Sequence, residues 1–89
     1  MKPIHVTVTD VDIAAGIRRS CIQCPIALAV RRVLCAVKSI EVSKLNILIQ
    51  ADNGQWRVYR TPESVGQFIG RFDLGIEVQP FRFFALPEA

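Results

Sequence analysis

The chain is poor in the residues that most often carry chemistry: one histidine (His5), one tryptophan (Trp56), one tyrosine (Tyr59) and three cysteines among 89 residues. A lone histidine leaves any cysteine nucleophile a single imidazole to serve as base. An odd cysteine count, with two of the three in or beside a helix, argues against a disulfide scaffold and for reduced thiols. No apolar run approaches the ~20 residues that cross a bilayer, and Met1-Lys2-Pro3-Ile4-His5 lacks the apolar core of a signal peptide. A cytoplasmic protein without a membrane span is the expectation. Repeats, linkers and low-complexity segments are absent too. Neither sign of charge dominates: the net +3 tolerates anionic partners without demanding them, whereas a dedicated nucleic-acid binder of this size is more basic or more clustered.

What is present reads as one α+β domain over residues 1–89, globular in composition at 51% hydrophobic and 21% charged, and small enough that its core is thin. The best-specified stretch runs from Cys24 to Lys38. Pro25 suits a first helical turn, and the alanines and leucines after it are good helix formers, which predicts a long central helix over 24–37. At 100° per residue, Ile26, Ala27, Val30, Val33, Leu34 and Val37 make one apolar stripe facing the core. The opposite side carries Arg31, Arg32 and Lys38, with Leu28 and Cys35 among them as a second, smaller apolar strip.

Around that helix the pattern alternates between strand and short helix. Ile4, Val6 and Val8 alternate with polar neighbours, a strand over 4–9. Thr9 and Asp12 form a capping-box start for a short helix over 10–17, weakened at Gly16. Arg18 to Gln23 is a basic connector. Within 40–50 the apolar phase switches from Ile40 and Val42 to Leu45, Ile47 and Ile49, so a bulge or turn near Ser43-Lys44 divides two short strands. Asn53-Gly54 predicts a type I′ hairpin joining this region to a strand over 55–60. That register places Ile49 opposite Val58 and Ala51 opposite Trp56 on the inner face, with Leu48 opposite Tyr59 and Gln50 opposite Arg57 outside. Thr61-Pro62-Glu63 starts a helix over 62–71, with Thr61 as hydroxyl cap and Val65, Phe68, Ile69 and Phe72 on its buried side. A last strand over 81–86 is apolar on both faces, hence central or covered by a partner.

Three strings together carry a likeness: Val6-Thr7-Val8-Thr9 with Asp12-Ile13 and Gly16; Cys24-Pro25-Ile26-Ala27-Leu28-Ala29; and Tyr59-Arg60, Pro62, Val65, Phe68-Ile69, Phe72-Asp73 and Gly75 leading to Pro80-Phe81 and Phe83. The chain resembles, over most of its length, a family of small, mostly uncharacterised proteins of bacteriophages and bacterial mobile DNA. The resemblance implies no particular activity. It implies a context, in which small phage proteins without catalytic machinery bind a host protein or sequester a small host signal. Cys21 and Cys35 lie outside the family pattern.

Four constellations compete for a role. Cys21, Cys24, Cys35 and His5 number enough for a zinc site, but Cys24 and Cys35 on one helix would stand roughly 16 Å apart, so no metal and no cofactor is expected. Cys24 at a helix start, near Arg18 and Arg19, has the setting of an activated thiol, against the plainer reading of a packed cysteine. Arg18, Arg19, Ser20 and Cys24 at the same helix start make a candidate anion site for a phosphorylated or nucleotide ligand. Trp56-Arg57-Val58-Tyr59-Arg60 interleaves aromatic and basic residues like a single-strand nucleic-acid platform, although the expected register turns Trp56 inward. The favoured surface is an interface built from Leu28, Arg31, Arg32, Cys35, Leu48, Arg57 and Tyr59 together with the doubly apolar last strand, giving a homodimer or a partner site. The resulting expectation is a non-enzymatic binding protein that inhibits a host defence or regulatory factor or captures a small phosphorylated ligand. The alternatives are a nucleic-acid-binding or transcription-modulating protein and a thiol-dependent enzyme using Cys24.

Overall fold

A computed structural model describes residues 2–88. The elements follow in the order β1 (Ile4–Val8), α1 (Asp10–Ala15), α2 (Pro25–Val33), β2 (Val37–Val42), β3 (Asn46–Ala51), β4 (Trp56–Arg60), α3 (Glu63–Asp73) and β5 (Phe81–Pro87). The strands form one antiparallel sheet in the order β1-β5-β4-β3-β2. The α+β class and the single small domain expected from the sequence are therefore observed. Among the described residues no helix is long and apolar enough to cross a membrane.

The sheet is curled, and α2 explains the curl. The strands that α2 packs against are β1 and β2, the two ends of the strand order, so the sheet wraps the helix rather than lying flat beneath it. Ile26, Ala27, Ala29 and Val30 of α2 are fully buried against Val6 and Val8 of β1, Ile40 of β2 and Ile47 of β3. Each buried Val or Ile stabilises the fold by about 1.5–3 kcal/mol relative to exposure. From α3, Val65, Phe68, Ile69 and Phe72 extend this core, as the i, i+3, i+4, i+7 spacing anticipates.

Three expectations need correction. The long central helix is a short one: α2 stops at Val33, Leu34 is already extended, and Ala36 takes a left-handed φ of 58°. Tertiary pairing overrides helix propensity here, because Val37 is drawn into β2 opposite Ala51. Val33, assigned to the core stripe, is consequently 44% exposed at the helix end. Thr61 does not cap α3. Pro62 holds that position without a side-chain cap, and the buried Thr61 hydroxyl instead donates to the Ser43 carbonyl at 2.8 Å.

The third correction is the hairpin register. The observed pairs are Gln50 with Trp56, Ile49 with Arg57, Leu48 with Val58 and Ile47 with Tyr59, one residue off the expected alignment. Asn53-Gly54 does not form a type I′ turn. Only Gly54 of the pair has positive φ, at 89°; its N–H donates to the Ala51 carbonyl and the Ala51 N–H donates to Gln55. That is a three-residue loop with a glycine bulge, and the extra residue slides the register by one. A slip of one inverts the faces of β4: Tyr59 is buried at 3% and Trp56 is turned out.

Candidate functional site

The helices cover one face of the sheet and leave the other bare. Cross-strand pairing places the residues of that bare face: His5 and Thr7 on β1, Arg82, Phe84 and Leu86 on β5, Trp56, Val58 and Arg60 on β4, Asn46, Leu48 and Gln50 on β3, and Ser39 and Glu41 on β2. Phe84 is 59% exposed, Leu86 55% and Trp56 51%. Val58 and Leu48, directly opposite one another, are half-buried beside them. These five form a continuous apolar band running obliquely across the sheet. His5 stacks on Phe84 with ring centroids 4.6 Å apart, and Asn46 donates to Glu88 at 2.9 Å, which places the Glu88 carboxylate on this face as well.

Each edge of the sheet has a backbone group engaged from outside the ladder. At the β1 edge, Arg32 of α2 donates to the Thr7 carbonyl at 3.2 Å. On β2 the Val42 N–H donates to the Cys21 carbonyl at 2.7 Å. Free backbone donors and acceptors at an edge invite strand addition, and both edges have theirs partly occupied.

The connector that carries the candidate anion site is tied down by an acid. Arg19 adopts a left-handed φ of 60° and its backbone N–H donates to Asp73 at 2.8 Å. Arg19, Ser20, Cys21, Cys24, Lys44 and Asp73 line one cavity of about 210 Å³, so the basic groups converge with a carboxylate already among them. The Ser20 hydroxyl accepts from the Gln23 N–H at 3.0 Å. Arg18 leaves this cavity and lies against the turn at Gly75. Cys24 is the N-cap of α2: its Sγ accepts from the Ala27 N–H at 3.4 Å. Burial pushes its thiol above the ordinary value of 9.0, outweighing the helix N–H groups that pull it down. A thiol held protonated is a poor nucleophile, and His5 is stacked on Phe84 on the bare face.

The interface residues expected from the sequence scatter. Leu28 is half-buried on α2, and Cys35 is exposed beyond the helix end, so the two no longer form a strip. Arg31 is exposed, while Arg32 is engaged with Asp12. Leu48 does lie on the bare face. Arg57 shares the inner side of β4 with the buried Tyr59 but is exposed near the hairpin turn. Among the described residues no cluster of three or more His, Cys, Asp or Glu is placed to hold a metal ion. The spacing argument against zinc lapses with the long helix, since Cys35 is not on α2.

Trp56 and Val58, expected to face inward, stand outside instead, while Phe84 and Leu86 belong to the doubly apolar last strand expected to be central or covered by a partner. The doubly apolar pattern of β5 was a usable signal for Phe84 and Leu86; Trp56 was hidden by the register. Comparison with known proteins found no matching family model, no matching curated protein and no matching solved structure.

Proposed function

We propose that this chain is a non-enzymatic binding protein whose working surface is the bare sheet face, and that the surface takes a protein. The observation that carries this reading is the oblique band of exposed Phe84, Leu86 and Trp56 with half-buried Val58 and Leu48, over which no helix of the described residues lies. A soluble-facing sheet of this size ordinarily alternates polar residues outward, and contiguous aromatic and aliphatic side chains flanked by arginine are the composition of a protein interface. Exposed Trp56 and Phe84 also suit base stacking. Against that, Arg60 and Arg82 are matched by Glu41 and Glu88 on the same face, so the one-sided positive field that attracts phosphate is lacking.

The resemblance to phage and mobile-element proteins supplies the biological form of this proposal. The chain acts in the cytoplasm of a host cell by occupying a host defence or regulatory factor. Capture of a phosphorylated ligand at Arg18, Arg19 and Ser20 is the weaker form, because Asp73 stands where the anion would sit.

The test compares wild-type protein with Phe84→Glu in capture from host extract, alongside a labelled single-stranded oligonucleotide. The expected result is a protein retained by wild type and lost by the variant, with the emission of Trp56 shifting to the blue when that protein is added in pure form. Identical retention by both forms overturns the assignment of the face, and a salt-sensitive oligonucleotide complex lost in Phe84→Glu overturns the choice of a protein as ligand.

A further inference from the structure

We infer that a protein partner docks through an extended segment that adds to β5 as a further antiparallel strand. The inference rests on the proposed function in taking a protein as the partner, and the added strand continues the bare face. β5 has a full partner on one side only. β1 pairs with it from Phe81 to Ala85, whereas β4 meets it through Leu86 and Pro87, because the chain leaves the sheet after Arg60 and enters α3. From Phe81 to Ala85, therefore, no strand lies beside β5 on the β4 side.

Hydrogen bonds on both sides of β5 fix which backbone groups face that open side. The Glu88 N–H donates to the Val58 carbonyl at 3.0 Å, so Glu88 and, by alternation, Leu86, Phe84 and Arg82 aim their N–H and C=O groups toward β4. The β1 side agrees. The Thr7 carbonyl accepts from Arg32 at the outer edge of the sheet, so Thr7 and its partner Arg82 turn their backbone groups away from one another. Among the described residues, the N–H and C=O of Arg82 and Phe84 have no hydrogen-bond partner. Donors and acceptors alternating along one edge in this way are the pattern that an extended backbone completes.

The side chains beside this edge define what such a segment carries. Phe81 shares the inner side of β5 with buried Phe83 and Ala85, and its ring lies 5.0 Å from that of Phe68 on α3. With Val78 these rings floor a cavity of about 270 Å³ that Gln67 and Arg71 of α3 wall. The cavity opens at the first residue of the uncovered edge, so an inward residue of the added strand places an aliphatic or aromatic side chain in it. An outward residue comes beside Arg82, which is exposed and among the described residues has no ion-pair partner. The segment is thus extended, apolar on one side and acidic on the other.

Amide hydrogen exchange read by NMR, with titration of a labelled peptide of about eight residues that alternates leucine with glutamate, tests this. In the free chain the N–H groups of Arg82 and Phe84 are expected to exchange at least about tenfold faster than those of Phe83 and Ala85, which β1 holds, and the peptide slows them. The peptide should bind with a dissociation constant on the order of 100 µM. Arg82→Pro deletes a donor that is unused in the free chain and should weaken the peptide by about tenfold or more, while Arg82→Ala, which keeps the N–H, stays within about threefold. An added strand turns every second peptide group toward β5, so N-methylation of one alternate set should abolish binding to wild type and of the other spare it. That comparison needs no variant to fold. Arg82 and Phe84 amides as protected in the free chain as Phe83 and Ala85, no binding to wild type, or equal effects of the two methylated sets overturns the inference. If Phe84→Glu loses a captured host protein that Arg82→Pro retains, strand addition falls and the docking face stands. If the peptide responds as stated while capture ignores Phe84→Glu, strand addition stands and the face reading falls.

Discussion

Arg32 of α2 and Asp12 of α1 join two helices that share no strand between them: the guanidinium meets the carboxylate while also donating to the Thr7 carbonyl of β1. Asp12 is buried, and its other bonds come from the Thr9 backbone N–H at 2.8 Å and the Thr9 hydroxyl at 3.1 Å. One carboxylate therefore completes the capping box of α1 and anchors α2.

Arg32→Ala strips that carboxylate of its charged partner while leaving it buried, which costs far more than losing an exposed ion pair. Urea unfolding should show a loss of about 1–3 kcal/mol, against less than about 0.5 kcal/mol for Arg31→Ala on the exposed side of the same helix turn. Equal effects at the two positions would remove Asp12 from this role.

Gly16 is required by proximity. Its φ is an ordinary −68°, but a Cβ there would meet Pro25 Cδ at 2.5 Å, Cγ at 2.6 Å and N at 2.8 Å. The proline ring at the start of α2 is fixed and fully buried, so it has nowhere to retreat. Gly16→Ala is expected to cost at least about 3 kcal/mol or to abolish folding at 37 °C, read from thermal unfolding. A melting curve unchanged from wild type would contradict the close approach.

Ala36 offers the converse case, an exposed alanine held at φ 58° where α2 turns into β2. Glycine adopts that conformation without the Cβ penalty, so Ala36→Gly should raise stability by about 0.5–1 kcal/mol. Gly54→Ala, at φ 89° with open space around it, should lower stability by about 1 kcal/mol through backbone strain alone.

Much of the fold was legible from local pattern because local pattern determines it. Thr9 and Asp12 announced the start of α1, Val65 to Phe72 announced the buried side of α3, and the change of phase around Ser43 announced the division between β2 and β3. What escaped depended on long-range pairing or on a single torsion. The apolar run through Leu34 and Cys35 continues the helical period, and only the partnership of Val37 with Ala51 halts it. Asn53 with negative φ in place of positive φ moves β4 by one residue, which exchanges Tyr59 for Trp56 on the bare face. The candidate site was misread for that reason, while Leu48 was placed correctly because β3 did not shift.

Cys24 gives a test of burial against the helix N-terminus. Its thiol stays protonated in the folded chain above pH 9.0, where the unfolded chain begins to lose that proton, so unfolding gains favour as pH rises. The contribution is intact below pH 9.0 and is lost progressively from there upward. Cys24→Ser keeps a cap oxygen and removes the titration, so the difference in stability between wild type and variant should narrow or change sign between neutral and alkaline pH. Thiol labelling at neutral pH should modify the exposed Cys21 and Cys35 well before Cys24. Labelling of Cys24 at the rate of the other two would restore it as a reactive group.

The sheet holds a dependence on chain order. Strands β2, β3 and β4 are successive neighbours and can form as soon as they are made, but among the described residues β1 pairs only with β5, which follows α3 and also meets β4 through Leu86 and Pro87. During translation, then, β1 can lay its valines on α2 early, but its backbone has no ladder until the residues from Phe81 onward are made. A nascent chain in that condition is a natural client for chaperones, and a premature stop just before Phe81 leaves β1 and the β2–β4 meander tied only through α2, with β4 an open edge.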